Sequence, residues 1–129
     1  VLFRSTSAYK FINKDSIIVN GQTGDFITGG QIPLNKNGEL NRGTIQEQVE
    51  LIFENIGHLL ETQNCSFQNI IKLTVFLKNI GDFDAVNSKM IELLEEPYPA
   101  RSLIQAAALP KNVDVEIEVI AGLNENGER

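Results

Sequence analysis

The chain has 129 residues, 42% of them hydrophobic, with a formal net charge of −6 and a pI near 4.7. That is enough for one domain with a modest core, and its acidic balance disfavours nucleic-acid partners, because a negative surface repels phosphate backbones. No apolar run approaches the roughly 20 residues of a membrane-spanning helix, and a single cysteine, Cys65, rules out an internal disulfide and favours a reducing compartment, cytoplasmic or organellar.

Taken in chain order, Val1 to Ala8 is too short for a secretory leader. Ile17-Ile18-Val19 and Phe26-Ile27-Thr28 flank the Gly-rich turn 20–25 and read as two paired strands. Gly29-Gly30 lets the backbone bend or lets another group approach it closely, and Asn35-Lys36-Asn37-Gly38 is a turn. Thr44 and Glu47 have the spacing of a capping box. The apolar series Ile45, Val49, Ile52, Phe53, Ile56, Leu59, Leu60 then predicts one face of a helix ending near Asn64.

Ile70 to Leu77 is apolar on both faces apart from Lys72 and Thr74, the pattern of a buried central strand. Asp82 can cap a second helix with the face Phe83, Val86, Met90, Leu93, Leu94, stopped by Pro97 and Pro99. Leu103 to Leu109 predicts a third core strand and Val113 to Ala121 a fourth. In the fourth, Val113, Val115, Ile117 and Val119 face one way and Asp114, Glu116 and Glu118 the other.

From Phe26 the order is β-α-β-α-β-β, an α+β sandwich with two helices on one sheet. Each helix has a single apolar stripe, so the helices cover one sheet face only. Ile70, Phe76, Ile104 and Ile120 are expected on the other face, where a homo-oligomer is the simplest cover.

Two charged residues in this strand-rich stretch need a reason. Arg101 lies in Pro99-Ala100-Arg101-Ser102, and Glu116 follows within Val115-Glu116-Ile117. An arginine fork grips a carboxylate through two parallel hydrogen bonds, and a carboxylate can orient or deprotonate water. Read from pattern alone, the alternatives stay open. Arg101 can be an ordinary ion pair with Glu95, Glu96 or Glu118, and Glu116 can belong to a solvated strand face. His58 lies off the apolar stripe of its helix and, as the only histidine, supports no metal site; Cys65 is packed or idle.

The pieces Gly30-Gln31-Ile32-Pro33-Leu34, Gln48, Asn55-Ile56, the segment from Lys72 to Leu77, Asp82-Phe83, Val86-Asn87 and the stretch from Pro99 to Ile117 occur in an order and spacing that resembles the RidA/YjgF/UK114 family. The resemblance runs from about Ile17 to Ala121 and implies a single domain, with 1–8 and 123–129 as flexible ends. It implies a chorismate mutase-like fold assembled as a homotrimer with a barrel-like centre and clefts between subunits. It also implies that the last strand inserts between the first two core strands rather than forming a hairpin with its predecessor, which brings Glu116 near Gly29-Gly30.

The activity implied is cofactor-free hydrolysis of 2-imino acids and their enamine tautomers to 2-oxo acids and ammonia. Under it Arg101 clamps the substrate carboxylate, Glu116 holds the attacking water, Gly29 and Gly30 offer backbone contacts, and Asn87 lines the pocket. The chain departs from the family pattern in three places. Gly29 stands where a serine is usual, the stretch 14–17 lacks the usual tyrosine, and Leu103 replaces a small residue. A binding module for small carboxylates on the same fold is therefore a second reading, and the ribonuclease activity ascribed to some relatives a third.

Overall fold

The computed structural model describes residues 16–18 and 24–123; of the expected flexible ends, 1–8 and 123–129, only Leu123 is among the described residues, and Val19 and the turn before Gly24 also lie outside them. Seven elements follow one another: β1 (Ser16–Ile18), β2 (Asp25–Thr28), α1 (Ile45–Glu61), β3 (Ile70–Leu77), α2 (Phe83–Leu93), β4 (Ala100–Gln105) and β5 (Val115–Gly122). The strands form one mixed sheet in the order β1-β2-β5-β3-β4, parallel only between β3 and β4. β5 thus lies between β2 and β3, as the family resemblance implied.

α1 begins where the sequence says it must. The Thr44 hydroxyl accepts from the Glu47 N–H at 3.1 Å, and the Thr44 N–H donates to Glu47 Oε1 at 2.9 Å. The Thr44 N–H first, and the Thr44 hydroxyl second, hold the Glu47 carboxyl below its ordinary value. Its stripe Val49, Ile52, Phe53, Ile56 and Leu60 is buried against the sheet residues Phe26, Leu73, Val75, Val115, Ile117 and Val119. α2 starts differently from expectation. Asp82 occupies the cap position without a side-chain cap bond, and Asn79 instead accepts from the Gly81 N–H in the 3₁₀ turn before the helix.

Two residues that carry the resemblance prove to hold the scaffold. Gln48 is buried, and its amide donates at 3.0 Å both to the Gly43 carbonyl and to Asp114 Oδ2, tying the start of α1 to the entry of β5. Asn55 donates to the Leu34 carbonyl at 2.8 Å and pins the loop that follows Gly30. Replacing Gln48 with leucine leaves two acceptors unpartnered, so urea unfolding is expected to show a loss of about 1–3 kcal/mol.

Two strand expectations shift. The third core strand spans Ala100–Gln105, not 103–109, because its ladder partner β3 ends at Leu77; Ala106 makes one last bond to the Leu77 carbonyl at 2.8 Å and the chain departs. Ile70, expected on the open face, is fully buried on the helix side. A bulge between Ile70 and Lys72 shifts the alternation by one, and Ile71 takes the outward position. The fourth strand, expected from Val113, starts at Val115 because residues 110–112 form a 3₁₀ turn.

Both helices cover the same face, leaving an open face with Phe76, Ile104 and Ile120. Ile104 is 51% exposed, and Phe76 and Ile120 are half-buried. β4 forms the edge of the sheet. Among the described residues no helix is long and apolar enough to cross a membrane.

Candidate functional site

Arg101 sits on edge strand β4 directly beside Leu73, whose side chain is buried on the helix face. Arg101 therefore projects toward α2. Its guanidinium lies over the Phe83 ring, 5.1 Å from the centroid, and donates to Asn87 Oδ1. Phe83 and Asn87 are four residues apart on α2, so one helix turn supplies both the stacking surface and the acceptor. The two contacts fix the guanidinium plane while leaving most of its five N–H donors available. Among the described residues Arg101 forms no ion pair, so the ordinary pairing with Glu95, Glu96 or Glu118 is absent. Pairing with Glu118 is excluded by topology, since Glu118 alternates with the buried Ile117 and Val119 and points to the open face.

A cleft of about 380 Å³ opens beside Arg101, lined by Leu73, Asn87, Met90, Ile91, Leu94, Tyr98 and Pro99. Asn87 is thus both a wall of the cleft and the partner that orients Arg101. The cleft draws on β3, α2 and the 94–99 segment, a set that no local pattern in the sequence groups together. The role of Phe83 was also hidden, since it reads as one more apolar position on the α2 stripe. The one available signal is its spacing of four from Asn87.

Glu116 lies elsewhere. It is beside Phe76 in the β3–β5 ladder, and Phe76 is beside Ile104 in the β3–β4 ladder, so all three share the open face. Gln31 pairs with Ile117 through two backbone bonds, of 2.7 and 3.0 Å, which lays the preceding Gly30 over Glu116. A Cβ at Gly30 would collide with the carboxyl, coming within 2.6 Å of Glu116 Cδ. This is the close approach that the glycine pair suggested, and it belongs to Gly30. Gly29 contributes a carbonyl that accepts from Gln31 Nε2 at 3.1 Å. Desolvation in this half-buried position, followed by the neighbouring charge of Glu118, pushes the Glu116 carboxyl above its ordinary value.

The structure therefore makes two half-sites per chain. Arg101 and Asn87 come together on the helix face at the sheet edge; Glu116 and Gly30 come together on the open face. A single chain does not bring Arg101 and Glu116 into one pocket. Leu103, the residue two after Arg101, packs against the core, so its bulk is absorbed on the helix face.

Replacing Gly30 with alanine is expected to displace the Glu116 carboxylate and leave the fold intact, because the struck group is the end of a flexible side chain. Thermal melting should change little, while any turnover that depends on Glu116 falls by roughly a hundredfold, the scale of a misplaced reacting group.

The remaining sequence candidates, His58 and Cys65, do not line the cleft beside Arg101. His58 is exposed on α1. Cys65 is buried, and burial pushes its thiol pKa up, away from reactivity. No cluster of metal-ligating side chains occurs among the described residues.

Residues 14–123 match the family model for endoribonuclease L-PSP. A Lactococcus lactis protein that carries the provisional name of a regulator, AldR, is 45% identical over 105 residues, covering 81% of each chain. The human 2-iminobutanoate/2-iminopropanoate deaminase is 38% identical over 93 residues, 71% of this chain and 68% of the human one. The crystal structure of Escherichia coli TdcF with bound serine superposes with a TM-score of 0.76 at 35% identity, covering 83% of this chain and 86% of that one. Fold, family model and relatives agree that this chain belongs to the endoribonuclease L-PSP family, the RidA/YjgF family of the deaminases.

Proposed function

We propose that the protein is a cofactor-free imine deaminase that hydrolyses short 2-imino acids, and their enamine tautomers, to 2-oxo acids and ammonia. The observation that carries this reading is an exposed, oriented guanidinium, without an ion pair among the described residues, on the same chain as a carboxyl held above its ordinary pKa. The name of the human relative supports the substrate class, and serine bound to TdcF supports a small amino- or oxo-acid ligand.

The half-sites lie on opposite faces of one sheet, so the reading requires a homo-oligomer, a trimer under the family resemblance. Arg101 and Asn87 of one copy then face Glu116 and Gly30 of the next. The uncovered apolar face and the free β4 edge favour such an assembly. Arg101 takes the carboxylate through its fork, and the Gly29-Gly30 backbone sits against the substrate. Ionised Glu116 accepts a proton from water as the water oxygen bonds to the imine carbon. That proton passes to nitrogen and gives the carbinolamine; Glu116 then takes the proton of the new hydroxyl and delivers it to nitrogen as the carbonyl forms, the carbon–nitrogen bond breaks, and ammonia leaves with the 2-oxo acid. A raised carboxyl pKa suits both halves of that proton transfer. The compartment proposed is a reducing one.

The test is to add the protein to a serine or threonine dehydratase reaction and follow 2-oxo acid release. Acceleration beyond buffer is expected; none contradicts the reading. Gly29, which offers no hydroxyl where the family usually has one, favours the second reading, a carboxylate-binding module. Calorimetric binding of 2-oxobutanoate without turnover is its signature.

A further inference from the structure

The cleft at Arg101 is larger and more apolar than a three- or four-carbon acid needs. Its volume of about 380 Å³ falls in the range of pockets that enclose whole small-molecule ligands. Asn87 and Arg101 stand at one end, bonded to each other. From there the groove follows α2 from Asn87 to Leu94, seven residues and so about 10 Å along the helix axis. Leu73, Met90 and Leu94 are buried in its floor, and Ile91 and Tyr98 form its rims, 52% and 48% exposed. At the far end Leu94 and Pro99 also border a second hollow that contains Glu95.

Chemically this is a charged anchor followed by an apolar trough. A carboxylate on Arg101 leaves the rest of an acid facing Met90, Ile91 and Leu94. A methyl or ethyl group there leaves most of the trough unfilled, and a branched or aromatic group covers both exposed rims. An acidic tail reaches no second cation along the groove beyond Arg101 and approaches Glu95. Resting on the deaminase reading above, we infer that this trough holds the substrate side chain, so that the protein prefers 2-imino acids with branched aliphatic or aromatic side chains and rejects those with acidic ones. Ile91 and Tyr98 are then the specificity-determining residues.

The test separates binding from turnover. Calorimetry with 2-oxobutanoate and 4-methyl-2-oxopentanoate reads the trough whether or not the protein is catalytic. The branched acid is expected to bind at least tenfold more tightly, the low end of what added methylenes contribute in an apolar pocket. Ile91→Asp is expected to collapse that ratio toward one, and Tyr98→Ala, at a second exposed rim, gives the same reading if the first variant does not fold. Equal affinity in the unmodified protein, no binding of either acid, or an unchanged ratio in the variants overturns the inference. So does an Ile91→Asp protein that folds but loses its oligomeric state, because the groove is then a contact between copies. In parallel, imino acids generated in situ from leucine and alanine by an amino-acid oxidase give the ratio of kcat/KM. A ratio above ten for the leucine product supports the inference. Selective binding with no turnover of either supports the trough and defeats the deaminase reading alone.

Discussion

Arg101→Ala is expected to lower kcat/KM for a 2-imino acid by roughly 30- to 5,000-fold. Removing one partner of a hydrogen-bonded charge pair costs about 2–5 kcal/mol, and each 1.36 kcal/mol is tenfold in rate. The loss should appear mostly as weaker binding, since the carboxylate is held throughout the reaction. Arg101→Lys keeps the charge but loses the planar fork, the stacking on Phe83 and the geometry of the Asn87 contact, so it is expected to recover only a small part. Neither variant should unfold, because Arg101 is exposed on an edge strand and, among the described residues, has no acidic partner to orphan. Steady-state kinetics with a thermal melt check this; full activity in Arg101→Ala contradicts it.

Glu116→Gln is expected to remove activity while leaving stability unchanged or slightly higher. A general base contributes about 10²–10⁴ in rate, and that factor should be lost from kcat. The Glu116 carboxyl is raised above its ordinary 4.5 by desolvation and by Glu118, so its charged form is disfavoured in the fold. A group raised in this way contributes stability at low pH that disappears as the pH climbs through its folded pKa. At pH 7 glutamine therefore removes an unfavourable charge, and the melting temperature should hold or rise. The same shift fixes the pH profile. If Glu116 is the base, turnover needs its ionised form, so the acid limb of kcat/KM should be displaced upward from the ordinary carboxylate value. Glu118→Gln should move that limb toward lower pH by removing the neighbouring charge. A limb that does not move in Glu118→Gln contradicts the assignment of Glu116 as the base.

How far the fold could be read from the sequence depended on whether the deciding interaction was local. α1 was legible because Thr44, Glu47 and a stripe at steps of three and four are all contained within one helix. The strand at 100–105 was misplaced because its limits are set by β3, thirty residues upstream, and not by the apolar run Ala106 to Leu109. Ile70 was put on the wrong face because a bulge is invisible to a period of two.

The site divides in the same way. Arg101 and Glu116 could be proposed from residue chemistry and the resemblance. The pairing of Arg101 with Phe83 and Asn87, the seating of Gly30 on Glu116, and the trough between α2 and Tyr98 each join segments that are distant in the chain. Gln48 and Asn55 show the converse: residues that mark the family, but whose work is to fasten loops to α1.

The central claim is that Arg101 of one copy serves Glu116 of another, and a mixed oligomer tests it most directly. Arg101→Ala and Glu116→Gln, each inactive alone, are co-expressed in equal amounts and assayed together. In a head-to-tail trimer three-quarters of the assemblies are mixed, and each of those contains one site with both groups intact, so about a quarter of unmodified activity should return. If the mixture stays as inactive as its parents while mass spectrometry shows mixed assemblies, the two groups do not meet across subunits, and the account is wrong.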